Sequence, residues 1–282
     1  MTVFAAYSQD ELDRQYDQSN WSARPPGAYG ADYRELTDKA KATLGAPLEF
    51  SYGEGPKETL DVYRTDQPDA PVHVFVHGGA WRTMDKADSG FAAPLFVSRG
   101  IHFVALNFGL CPEVDLPTMV AQVRAGIAWV YRNAGRFGGN PERLHISGHS
   151  SGAHLAACAV ITDWQAGFGL DASPIRSALL CSGGYDLDAV QKSARNDYMH
   201  ISDQSVEELS PTRHPERFTC PVVLAAGGRE SDEFTRQSQA LAGALGQPLH
   251  IAEGMDHFEV SFTLATPDGL LARHALELIG KD

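Results

Sequence analysis

The pentapeptide Gly148-His149-Ser150-Ser151-Gly152 is the strongest chemical signal in this sequence. It follows the apolar run Leu144-His145-Ile146-Ser147 and precedes Ala153-His154-Leu155-Ala156-Ala157, so it reads as strand, tight turn and helix. Such a turn strains the serine and points its Oγ out of the sheet. Gly148 and Gly152 must lack side chains because the strand and helix backbones approach each other there. Ser150 is the candidate nucleophile.

A second loop, His77-Gly78-Gly79-Ala80-Trp81, follows the apolar run Val72-His73-Val74-Phe75-Val76. When a serine attacks a carbonyl carbon the oxygen becomes an oxyanion, and preorganised N–H groups stabilise it. Gly78 and Gly79 allow a close approach, which assigns the donors to the N–H groups of Gly79 and Ala80, joined by that of Ser151. His77 reads as a residue that holds this loop by bonding backbone. Trp81 is placed to line an aromatic pocket.

A serine elbow on an α/β sheet takes its partners in the order serine, acid, histidine, so both lie downstream. That order argues against His77, His149 and His154 as the base; His154 is also one helical turn past the serine, where the helix fixes its direction. The run Pro221 to Ala226 leads into Gly227-Gly228-Arg229-Glu230-Ser231-Asp232-Glu233. Ser231 suits an N-cap, which leaves Asp232 and Glu233 in a first helical turn, where negative charge is favourable for dipole reasons alone. Glu230 is then the first candidate for the orienting carboxylate, Asp232 the second, and Asp186 a third. After the last apolar run, Leu249-His250-Ile251-Ala252, comes Glu253-Gly254-Met255-Asp256-His257-Phe258, and His257 on that loop is the candidate base.

These residues need a sheet to hold them. Apolar runs at 59–64, 72–76, 101–106, 144–147, 177–181, 222–226 and 248–252 predict strands, mostly of the continuous kind found when both faces are buried. Helices are expected at 117–134, 151–162, 232–245 and 268–279. The alternation predicts an α/β fold, a mostly parallel sheet with helices on both faces, in one domain over residues 1–282. Residues 1–45 are polar, carry scattered tyrosines and are broken at Pro25-Pro26-Gly27, which predicts a helical arm over the domain. Residues 184–219 lack a strong period and leave the sheet at the ligand-binding ends of its strands, which predicts a small cap.

Composition narrows the function classes. A formal charge of -13 with no Lys/Arg-rich run argues against nucleic acid and anionic membranes as partners. No run of apolar residues is long enough to span a bilayer, and the N-terminus lacks a basic n-region, so a cytoplasmic protein is expected. The four cysteines are far apart with no C-x-x-C pair, which fits reduced thiols. The 11 histidines include no H-E-x-x-H or other compact ligand spacing, so no metal is expected. A homodimer is compatible with the sequence but not read from it.

Taken together, these motifs resemble the arylformamidase (kynurenine formamidase) branch of the α/β-hydrolase superfamily, related to the hormone-sensitive-lipase-like esterases. The likeness runs from His77-Gly78-Gly79-Ala80-Trp81 nearly to the C-terminus. It includes Leu110 to Val114, Trp129 to Ala134, Gly148 to Ala156, Ser182 to Leu187 and Glu230 to Ser238. The last stretch is the most discriminating, and on it the family's triad acid falls on Glu230. The resemblance implies an α/β-hydrolase fold and a cofactor-free enzyme for formamides or small esters. Where relatives tend to read Asn-Tyr-Arg-Leu this chain has Asn107-Phe108-Gly109-Leu110, losing a hydroxyl and a guanidinium near the substrate-facing loops. The expected activity is removal of a small acyl group from an aromatic amine, with a small-ester carboxylesterase as the alternative. A catalytically inactive binding protein is disfavoured, because serine, acid, histidine and oxyanion loop are all present.

Overall fold

The computed structural model describes residues 2–25 and 27–280. Its strands are β1 Leu48–Ser51, β2 Thr59–Tyr63, β3 Ala70–Val76, β4 His102–Leu106, β5 Gly139–His149, β6 Ser177–Cys181, β7 Val222–Arg229 and β8 Leu249–Asp256. They form one sheet in the order β1-β2-β4-β3-β5-β6-β7-β8. β2 runs antiparallel to β1 and to β4, and the remaining neighbours are parallel.

The central strands are apolar on both faces because both are covered. Every residue of β3 is buried. On one face Val72, Val74 and Val76 join Val104, Leu144 and Ile146 in a core shared with helices α4 Leu116–Asn133 and α5 Ser151–Val160. On the other, Phe75 and Phe103 pack with Phe96 of the short helix α3 Ala93–Ser98 and with Leu271 and Ala275 of the C-terminal helix Leu270–Ile279. Local sequence sets the helix ends. The Asp115 side chain accepts the Thr118 N–H at 2.9 Å, and Pro117 sits in the first turn of α4, where its missing N–H costs nothing. Ser231 caps the helix Asp232–Leu245 by accepting the Phe234 N–H.

Three elements depart from the sequence reading. β1 pairs with β2 although none of its residues is buried, so no apolar run marks it. β5 begins at Gly139, paired with Ala70: Gly138, with φ 90°, ends the preceding turn, and Gly139 already opens the strand. β8 continues past Ala252 to Asp256, opposite an irregularity in β7 between Gly227 and Arg229. Glu253-Gly254-Met255, expected as loop, is therefore irregular strand, and His257 follows it directly.

Residues 9–44 form two helices, α1 Gln9–Tyr16 and α2 Ala28–Leu44, either side of a break; Pro26 of the predicted Pro25-Pro26-Gly27 interruption lies outside the described residues. Polar contacts dock this arm at the C-terminal ends of β7 and β8. Gln18 Nε2 donates to Ser231 Oγ at 2.8 Å, and the Tyr16 hydroxyl bonds Glu233 Oε1 at 3.2 Å. The Tyr29 hydroxyl donates to Asp256 Oδ2 at 2.8 Å. Residues 184–219 fold into the short helices Leu187–Lys192, Asn196–Met199 and Asp203–Leu209, and touch the arm through Arg195, whose guanidinium donates to the Tyr16 carbonyl at 2.5 Å. Among the described residues no helix is long and apolar enough to cross a membrane.

Candidate active site

Ser150 joins β5 to α5 with φ 56° and ψ -127°, a conformation that L-residues rarely adopt. Its N–H donates to the Cys181 carbonyl at 2.9 Å, tying the turn to β6. A Cβ on Gly148 would stand 2.3 Å from the Gly152 carbonyl oxygen, and one on Gly152 only 2.1 Å from that of Val76. Both glycines are therefore required by backbone that cannot yield, and the strained turn persists because packing on both sides fixes it.

His257 Nε2 lies 2.9 Å from Ser150 Oγ. Behind the ring, Nδ1 lies 3.5 Å from Glu230 Oε2, and both atoms are buried with no other hydrogen-bond partner. The other carboxylate oxygen, Oε1, accepts the Gly227 N–H at 2.7 Å and the Ser182 hydroxyl. Glu230 is thus anchored through one oxygen and directs the other at the histidine. The gap exceeds an ideal hydrogen bond by a few tenths of an ångström. Asp232 is exposed in the first turn of its helix, and Asp186 caps the helix Leu187–Lys192 by accepting the Asp188 N–H. Of the three candidate acids, only Glu230 faces the histidine.

The loop after β3 packs against this turn. A Cβ on Gly78 would come within 2.8 Å of the His149 carbonyl oxygen, so the loop backbone lies directly on the elbow. Gly79 adopts φ 103°, and its carbonyl accepts the N–H groups of Arg82 and Thr83 at 3.0 and 2.9 Å. Among the described residues neither the Gly79 nor the Ala80 N–H has a protein acceptor, and both residues border the same cavity as Ser150 and His257. Ser151 opens α5, where a first-turn N–H has no acceptor within the helix.

Three other histidines near the elbow bond backbone carbonyls. His77 Nδ1 donates to the Gly78 carbonyl at 2.9 Å, its ring stacks on Phe108 at 4.3 Å, and burial holds its pKa down. His149 Nε2 donates to the His257 carbonyl at 2.7 Å, and burial together with His257 lowers its pKa to about 3. His154 Nε2 donates to the Leu209 carbonyl at 2.8 Å, and burial lowers its pKa to about 4.

One expectation needs correction. Trp81 does not line the cavity: its indole N–H donates to His154 Nδ1 at 3.2 Å and the ring is almost wholly buried, so it braces the site from behind. Phe108 and Gly109 do not border the cavity either. Phe108 lies under the loop against His77, and a Cβ at Gly109 would stand 2.9 Å from the Val114 methyls.

That cavity, about 310 Å³, is walled chiefly by the N-terminal arm, through Tyr16, Asp17, Gln18, Ser19, Tyr29 and Tyr33 among others. Thr83, Met84, His149 and Phe258 complete the side that holds Ser150 and His257, and Arg195 is the single contribution of residues 184–219. The sequence reading did not identify these wall residues. Tyr29 and Tyr33, four apart on α2, share a helix face, which was the available signal; nothing local marked Arg195.

The whole chain aligns with kynurenine formamidase from Danio rerio, 31% identical over 299 residues and covering all of both proteins. The Salmo salar kynurenine formamidase is also 31% identical, with full coverage of both. The chain belongs to the kynurenine formamidase family. It is an arylformamidase-like serine hydrolase of the α/β-hydrolase fold. The BD-FAE family model matches residues 60–178 of this family member, from β2 to β6. Its fold is shared with a Pyrobaculum calidifontis esterase at TM-score 0.72 and 17% identity, covering 97% of each chain.

Proposed function

We propose that this formamidase-family enzyme hydrolyses an aryl formamide of the N-formylkynurenine type through a Ser150–His257–Glu230 triad. Ser150 Oγ attacks the formyl carbon while His257 Nε2 takes its proton. Glu230 Oε2 accepts Nδ1–H, fixes that tautomer and stabilises the imidazolium. The N–H groups of Gly79, Ala80 and Ser151 receive the oxyanion, each worth about 3 to 4 kcal/mol of barrier by the behaviour of such donors elsewhere. The imidazolium returns its proton to the aryl nitrogen as the C–N bond breaks, leaving a formyl ester on Ser150. Water activated by His257 then hydrolyses that ester to formate and restores the serine.

The observation that carries this reading is the 2.9 Å approach of His257 Nε2 to Ser150 Oγ, in the wall of a small cavity faced by tyrosines. An aryl group fits such a wall, and a cavity near 310 Å³ suits a single-ring substrate with a short acyl group. We assign the lid to the arm together with residues 184–219, since both border the cavity. The test compares kcat/KM for N-formylkynurenine with that for short p-nitrophenyl esters. Comparable or higher efficiency on the formamide is expected. A preference for the esters by orders of magnitude would replace this reading with a carboxylesterase. That alternative draws support from the Arabidopsis thaliana isoprenylcysteine alpha-carbonyl methylesterase, 33% identical over 57% of this chain and 41% of its own length.

A further inference from the structure

We propose that Arg195 is the residue that reads a carboxylate on the substrate, so that the enzyme prefers aryl substrates carrying an acidic tail over neutral ones. This rests on the hydrolase reading of the cavity and adds to it a determinant of specificity.

The chain as a whole is strongly acidic, with a formal charge of -13, yet the cavity wall carries one guanidinium. Arg195 reaches it from residues 184–219 and lies over two aromatic faces, 5.5 Å from the Tyr16 ring centroid and 5.7 Å from that of Trp81. One terminal nitrogen donates to the Tyr16 carbonyl. Among the described residues no carboxylate comes within ion-pair distance of Arg195, and its Nε is buried without a hydrogen-bond partner. The nearby acid on the wall, Asp17, uses one oxygen to accept from the Ser19 N–H and hydroxyl.

A surface arginine needs no partner, since water serves it. An arginine braced over two rings, anchored by one nitrogen and holding a buried donor in the wall of a reaction cavity is different. Its remaining N–H groups are preorganised, so a ligand carboxylate gains charge-assisted hydrogen bonds without the entropy cost of ordering the side chain. Stacking on Tyr16 and Trp81 also gives Trp81 a role behind the wall that its missing cavity contact leaves open. Ser150 and His257 border the same cavity as Arg195, so one substrate could present an acyl group to the serine and an acid to the guanidinium.

The test uses two matched pairs on the full chain: N-formylkynurenine against ortho-formamidoacetophenone, and 4-acetoxyphenylacetate against phenyl acetate. Arg195→Gln should lower the ratio of kcat/KM for the acidic over the neutral member by about 10- to 100-fold, the usual range for a lost hydrogen bond to a charged group. The loss should fall on KM, and Arg195→Lys should restore part of it. A ratio within about threefold of wild type, or equal losses on both members, overturns the proposal and leaves Arg195 a strut for the arm. Should the wild type cleave neither formamide, the formamidase reading fails while the ester pair still decides the role of Arg195. If the variants do not fold, the wild type gives the answer by inhibition. Phenylacetate should inhibit neutral-ester hydrolysis at a concentration at least about tenfold below that of phenylacetamide, and equal potency overturns the proposal.

Discussion

Replacing Glu230 with Gln changes little in volume and much in hydrogen bonding. In the native site Oε1 accepts the Gly227 N–H and the Ser182 hydroxyl, while Oε2 faces His257 Nδ1. The Gly227 N–H can only donate, so the amide oxygen of the introduced glutamine must stay on it and the NH2 must turn to the histidine. His257 Nδ1 would then have to accept, which moves the ring proton to Nε2, the atom 2.9 Å from Ser150 Oγ. A protonated Nε2 cannot take the serine proton. Wrong-tautomer substitutions of this kind cost about 10⁴ in kcat, equivalent to about 5.5 kcal/mol of barrier. The assay is kcat on a p-nitrophenyl ester and on N-formylkynurenine, with the melting temperature as a control for folding. A loss on both substrates by about 10³ or more, with the fold intact, is expected. A loss below about tenfold would refute the reasoning and return the role to Asp232 or Asp186.

Three further outcomes follow from the same geometry. Gly152→Ala forces a Cβ to within 2.1 Å of the Val76 carbonyl oxygen and should cost about 3 kcal/mol or more, whereas Gly135→Ala meets nothing within 4 Å and should be nearly neutral; urea midpoints compare the two. Tyr29→Phe keeps the ring stacked 5.0 Å from Phe258 but removes its hydrogen bond to Asp256, so stability should drop by about 1.5 to 3 kcal/mol and KM should rise as the arm loosens; an unchanged KM would separate the arm from binding. Burial holds His73 and His149 neutral down to about pH 3 and His154 down to about pH 4, against an ordinary value of 6.5. Below pH 6.5 the unfolded chain binds protons that the folded one refuses, so these three groups together should remove about 4 kcal/mol per pH unit as pH falls from roughly 5.5 to 4. Denaturant midpoints that stay level over that window would contradict the assignment.

What was legible in the sequence is what short stretches of chain decide. The elbow can be read because Gly148 answers a clash with the Gly152 carbonyl inside one turn, and the strand and helix that flank it are local. The helix Asp232–Leu245 can be read to its ends because Ser231 caps it and Gly246, with φ 62°, closes it. β1 is not legible because an edge strand paired on one side need not be apolar. The end of β8 is hidden for another reason, since Glu253, Gly254 and Met255 extend the strand through an irregular register that breaks the apolar pattern. By residue type Trp81 reads as a pocket ring, yet its direction depends on His154, far away in sequence. The arm tyrosines reach the cavity where Gln15, Gln18, Tyr16 and Tyr29 bond Glu233, Ser231 and Asp256, and Arg195 reaches it from a segment tied to the arm by the Ala194 N–H on Asp13 and the Gln9 amide on the Lys192 carbonyl. No local period reports such contacts.

The central claim is that Ser150 performs the attack in formamide hydrolysis, and covalent labelling tests it most directly. A fluorophosphonate should add once to the chain, on the peptide bearing Ser150, and formamidase and esterase activities should fall in proportion to labelling. Equal labelling of Ser150→Ala, or formamide turnover that survives complete modification of Ser150, would contradict the account.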